Sequence, residues 1–170
     1  MTRKDSSFGW LGIIRLGFVQ AAIGAVVVLT TSTLNRVMVV ELAMPAVLPG
    51  VLVAIHYFIQ ITRPRFGHGS DLGGRRTPWI IGGMAVLAAG GTLAAMSAAW
   101  MASSPTAGIA LAAVSFLMIG AGVGACGTSL LVLLAARVRP QRRAAAATVT
   151  WVMMIASFAI TAGRTAQCRA

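Results

Sequence analysis

Apolar and polar positions in this chain are grouped in blocks rather than alternating residue by residue. Long runs of Ala, Leu, Ile, Val, Gly and Met are divided by short polar links that carry arginine. Five apolar stretches emerge, at 16–34, 46–62, 78–101, 107–136 and 144–163. A dyad repeat, the mark of a membrane barrel strand, is missing from them. In lipid every backbone polar group must be satisfied within the structure, so runs of this kind predict membrane-crossing helices. The expected fold is an all-α integral membrane bundle of about five transmembrane helices occupying residues 1–163.

Composition narrows the class further. Of 170 residues, 58% are hydrophobic and 10% charged, and the mean hydropathy is +0.85. Fourteen Lys and Arg against three acidic residues give a net charge of +11. A soluble nucleic-acid binder of that charge needs a polar surface that this composition does not supply, so no nucleic-acid partner is expected. At about 20 residues per crossing the chain has room for at most roughly six or seven spans, too few for a twelve-helix transporter.

The basic residues predict sidedness. Arg3 and Lys4 precede the first span, Arg63, Arg65, Arg75 and Arg76 lie between the second and third, and Arg137, Arg139, Arg142 and Arg143 lie between the fourth and fifth. The 102–106 link carries none. Under the positive-inside rule the N-terminus and both basic links face the cytoplasm, and the 34–46 and 102–106 links lie outside. A fifth crossing then puts Arg164 and Arg169 on the disfavoured side. The 164–170 tail is accordingly expected to derive from truncation, whether by a frame change, as a short product or as a fragment. Arg15 interrupts the first apolar region and no small-residue cleavage site follows it, so the first span is expected to be a retained anchor rather than a signal peptide. Residues 8–15, with Trp10 and Arg15, have an interfacial character.

The link between the second and third stretches, residues 63–78, reads RPRFGHGSDLGGRRTP. It predicts a tight basic turn in which the glycines allow positive φ and close approach, and Asp71 accepts hydrogen bonds from amides or an arginine fork. The spacing Gly67, Asp71, Gly74, Arg75, Arg76 resembles motif A of the major facilitator superfamily. In that family the loop ties helix two to helix eleven and biases the protein between outward-facing and inward-facing states. The resemblance gives Gly67, Asp71 and Arg75 those roles, although 170 residues contain no helix eleven. The plainer reading is an ordinary short, glycine-rich, basic hairpin loop.

A more specific likeness spans 34–45 (LNRVMVVELAMP), His56-Tyr57, Arg63 to Arg65, 67–71 and 75–79 (RRTPW). Together these segments resemble the N-terminal part of the PucC/LhaA family, facilitator-like membrane proteins of phototrophic bacteria, over about residues 8–162. The resemblance implies a non-enzymatic factor that assembles light-harvesting complexes by delivering bacteriochlorophyll or supporting insertion of antenna polypeptides. It also implies a bacterial inner, intracytoplasmic, membrane. Family members have about twelve helices in two halves, so five helices correspond to an incomplete N-terminal bundle. A small-solute facilitator and a non-functional fragment are the alternatives. Alternating access needs two bundles rocking about a central site, which speaks against transport by this chain alone.

Individual residues carry further expectations. Arg36 and Glu41, five residues apart, form a candidate intramembrane or interfacial charge pair, either on a substrate or partner path or as a loop ion pair near water. His56 is a candidate pigment ligand through one ring nitrogen, the alternative being a hydrogen bond to a neighbouring helix. His68 reads as a solvated neighbour of the motif. Gly120 and Gly124 make a G-x-x-x-G pair for close helix packing, with Gly122 and Gly127 beside them, and Gly82, Gly83, Gly90 and Gly91 read alike. Met153 and Met154 are expected to fill gaps. Cys126 and Cys168 imply no disulfide framework. No metal cluster or catalytic set stands out around Asp5, Glu41 and Asp71, so no metal and no catalytic residue are expected.

Overall fold

The computed structural model describes residues 8–72 and 76–167. Every regular element among them is a helix. α1 runs from Trp10 to Glu41, α2 covers Val47–Ile59 and passes through a 3-10 turn into α3, Arg63–Leu72, then come α4, Thr77–Met101, and α5, Pro105–Arg137. A 3-10 turn at Pro140–Arg142 leads into α6, Arg143–Gln167. The chain is a multi-pass membrane helix bundle.

Among the described residues, four helices are long and apolar enough to cross a bilayer unaided: Trp10–Glu41, Thr77–Met101, Pro105–Arg137 and Pro140–Arg164. The stretch expected as a second span begins only at Val47, after the break at 42–46, and its 13-residue α2 is followed by the polar residues of α3. Thirteen α-helical residues reach about 20 Å, and the 3-10 turn and α3 carry the rod on to Leu72. α5 is the longest, at 33 residues.

α1 extends beyond the expected 16–34 at both ends, from Trp10 to Glu41, and the hydroxyls of its polar segment are satisfied within the helix. Thr30 donates to the Val26 carbonyl at 2.8 Å, Thr31 to Val27 at 2.7 Å and Ser32 to Val28 at 2.8 Å. Hydroxyls bonded back along the helix lose little by leaving water, but they perturb the backbone ladder. Two π turns follow, at Leu29–Thr33 and Val37–Glu41. Past the helix, Ala43 has φ 49°, a left-handed conformation that stops the chain before Pro45.

The densest interface joins α4 and α5, an antiparallel pair linked by a short turn at 102–104. Ser104 is extended, at φ −143° and ψ 91°, and Pro105 opens α5 with φ already set for a helix. The buried residues of α4 fall at Gly83, Leu87, Gly90, Ala94, Ser97 and Met101, and those of α5 include Gly108, Ala112, Ser115, Ile119, Gly122 and Cys126. Steps of three and four residues keep these small side chains on one seam, so the backbones approach closely. A Cβ at Gly122 would lie 2.7 Å from the Leu87 nitrogen and 2.8 Å from the Gly83 carbonyl oxygen.

α6 packs beside α1, in parallel. Ile13 shares a buried cluster with Ala146. Farther along, a Cβ at Gly24 would meet Phe158, Met154 and Ser157 at 2.6–2.9 Å. Gln20 is buried on this face and donates Nε2 to the Met154 sulfur at 3.3 Å. α5 also touches α1 and α6 and receives α2 and α3.

The arginine-bearing junctions around Trp10 and Arg142 meet at one end. The Phe8 N–H donates to the Arg137 carbonyl at 2.9 Å, and the Arg142 guanidinium lies over the Trp10 ring, 5.9 Å from its centroid. The 102–104 turn is at the opposite end of α5. The polar stretch expected from 164 is helical as far as Gln167.

Candidate functional site

α2 presents Pro49, Leu52 and His56 as its buried face, a spacing of three and four that lines one side of a helix. This face lies against α5 at Gly120, where a Cβ would fall 2.6 Å from the His56 carbonyl oxygen and would strike the Ile59 side chain. Gly120 therefore sets how close α2 comes. One turn on, a Cβ at Gly124 would meet the Phe66 ring of α3 at 3.2 Å.

His56 is 1% exposed. Its Nε2 lies 2.8 Å from the Gln60 side-chain nitrogen, its Nδ1 is buried without a hydrogen-bond partner, and its ring meets Tyr57 edge-on with centroids 5.0 Å apart. One ring nitrogen is thus engaged and the other is not. If Gln60 donates to Nε2, Nδ1 carries an unshared proton; with the amide turned over, Nδ1 offers a lone pair.

Over residues 63–72 the link is helical rather than the tight turn its glycines predict, and residues 73–75 lie outside the described residues. α3 continues the chain helically to Leu72, and Gly67 and Gly69 lie within the helix without positive φ. Their use is close approach: a Cβ at Gly67 would touch Thr128 of α5 at 3.4 Å, and one at Gly69 would press on the Trp79 ring at 3.0 Å. Phe66 and Trp79 lie 6.5 Å apart and, with Pro78, Gly82, Gly83, Val86, Ala121, Gly122 and Ala125, border an apolar cleft of about 360 Å³. Of the motif A positions, Gly67 and the half-buried Arg76 are described. Gly74, Arg75 and the Asp71 side chain lie outside the described residues, as do Asp5 and Cys168. His68 is exposed.

Arg36 and Glu41 are both exposed on the last turns of α1, and among the described residues no ion pair joins them. No group of three His, Cys, Asp or Glu converges among the described residues. Cys126 is buried in the α4–α5 seam. The close packing of α4 on α5 was legible in the glycine spacing, whereas the cavity between Arg15 and Arg137 escaped the sequence reading, because it joins positions too distant in sequence to be paired by spacing.

The fold defines the class: a multi-pass, all-α membrane protein with a tightly packed small-residue seam. The family model for the PUCC protein matches residues 33–168, and the chain belongs to that family. It is 59% identical over 157 residues to a Rhodobacter capsulatus protein named "Bacteriochlorophyll synthase 44.5 kDa chain", covering 92% of this chain and 37% of that one. To Protein PucC of Cereibacter sphaeroides it is 35% identical over 123 residues, covering 65% of this chain and 27% of the relative. To Protein PucC of Rhodobacter capsulatus it is 32% identical over 166 residues, covering 88% and 35%. The chain spans about a third of the length of these curated relatives. No solved structure matches.

Proposed function

We propose that the chain forms the N-terminal helix bundle of a non-enzymatic membrane factor that assembles bacterial light-harvesting complexes, delivering bacteriochlorophyll or aiding insertion of antenna polypeptides. The observation that carries this reading is the PUCC family match over residues 33–168, supported by a relative whose name refers to bacteriochlorophyll. The apolar helix faces suit such work. Tyr57, Phe58 and Ile61 are 59%, 71% and 72% exposed, and Trp151, Val152, Ile155 and Ile160 form a similar face on α6. Surfaces of this kind meet lipid or the helices of other polypeptides.

In this reading His56 is the residue that would hold the pigment magnesium, through Nδ1, with the Gln60 amide turned so that its oxygen accepts from the Nε2 proton. The unpartnered nitrogen fits a ligand. A ring only 1% exposed admits a macrocycle only if α2 parts from Gly120. A second reading, a small-solute facilitator, is favoured by the motif A spacing Gly67, Asp71, Gly74, Arg75, Arg76. There Asp71 latches the junction between α3 and α4.

Gentle solubilisation and affinity capture decide between them. The assembly reading predicts that antenna polypeptides or pigment accompany the protein from phototrophically grown cells. Capture of neither, alongside measurable solute uptake by the full-length relative in vesicles, would falsify assembly and favour transport.

A further inference from the structure

A cavity of about 470 Å³ opens where α1 begins and α5 ends, lined by Phe8, Gly9, Leu11, Gly12, Arg15, Leu16 and Arg137. Its size is that of a small-molecule site, roughly 300–1,000 Å³. Two guanidinium-bearing side chains border it, and its other described lining residues are apolar or glycine. Phe8, Leu11 and Leu16 supply an apolar floor. Such a lining suits an anion with an attached hydrocarbon part.

The surroundings set where that anion comes from. Leu11 and Phe18, four residues before Arg15 and three after it, are 70% and 65% exposed. Arg15, itself exposed, therefore projects from the face of α1 that meets lipid. It lies five residues past Trp10, a rise of about 8 Å, at a depth where an arginine in a bilayer reaches for the headgroup layer. Arg137 ends α5 beside it, and Arg142 over Trp10 adds positive charge nearby. Basic recesses between membrane helices hold anionic lipid headgroups by this chemistry, because a guanidinium forks two donors onto phosphate oxygens.

The geometry points to a binding site for one anionic phospholipid, its phosphate held by Arg15 and Arg137 and its first acyl carbons on Phe8, Leu11 and Leu16. This site is independent of what the protein assembles or moves. It fixes the N-terminal end of α1 to the end of α5 through a lipid of the surrounding leaflet.

The test is the partition of fluorescent phosphatidylglycerol, against phosphatidylcholine, onto the full chain in detergent micelles. Wild type prefers phosphatidylglycerol, and Arg15→Gln lowers the preference about tenfold, the loss expected for one charge-assisted contact. Arg15→Lys keeps most of it, and Arg36→Gln, at the other end of α1, leaves it unchanged. Should Arg15→Gln fail to fold, Arg137→Gln gives the same readout. An unchanged preference in both glutamine variants overturns the site. So does an equal loss in Arg36→Gln, which marks diffuse charge, or displacement of the lipid by millimolar inorganic phosphate, which marks a free-phosphate site.

Discussion

A methyl group added to Gly83 of α4 would lie 2.7 Å from the backbone nitrogen of Cys126 on α5. The two helices meet backbone to backbone, and neither can rotate a larger side chain out of the way. Enlarging Gly83 or its partner Gly122 must push the helices apart.

Gly122→Leu is expected to cost about 1–3 kcal/mol, the range for overpacking a filled interior. Gly82→Ala provides the contrast, because nothing lies within 4 Å of the position its Cβ would take. Thermal unfolding in a mild detergent, followed by helical circular dichroism, separates the two. Equal melting temperatures for both variants would mean that the seam is looser than its geometry.

His56 and Gln60 form a polar pair whose removal should be asymmetric. His56→Phe leaves the Gln60 amide without its 2.8 Å partner and is expected to destabilise by about 1 kcal/mol. The double variant His56→Phe with Gln60→Leu should recover most of that loss. A double-mutant cycle with no coupling term would show that the pair contributes nothing to packing.

Gln20 is predicted to behave in the opposite way. Its Oε1 is buried without a partner and its Nε2 reaches only a thioether sulfur, a weak acceptor. Gln20→Leu should leave stability unchanged or raise it by about 1 kcal/mol. A fall in melting temperature on this substitution would show that the amide has a polar partner in the membrane.

Sidedness can be read by labelling. With Cys168 replaced by Ser, an impermeant maleimide applied to intact cells should modify Ser103→Cys and spare Arg139→Cys, the reverse holding for inside-out vesicles. Buried Cys126 should stay unmodified in both. Labelling of Arg139→Cys from outside would invert the orientation inferred from the arginines.

Hydropathy located α4 and α5 to within two residues, because arginines mark the start of α4 and the end of α5 and the polar Ser103-Ser104-Pro105 turn marks the ends between them. It misjudged the ends of α1, which starts at Trp10 and continues through Asn35, Arg36 and Glu41, residues that look like a link. Side-chain hydroxyls bonded to their own helix carry no signature in a hydropathy profile. The glycines at 67 and 69 suggested a turn, since glycine permits both a left-handed bend and close contact. Only the position of Trp79 and Thr128 decides for contact. The burial of His56 was likewise illegible, as it depends on Gly120, 64 positions along the chain.

The pairing of α1 with α6 also bears on biogenesis. α4 and α5 are consecutive and can associate as soon as their hairpin leaves the ribosome. α1 must wait until α6 is synthesised before Gln20 finds its place against Met154. A chaperoning helix or an early lipid contact at its N-terminal end would shorten that vulnerable interval, so maturation should be slower at α1 than at the α4–α5 hairpin.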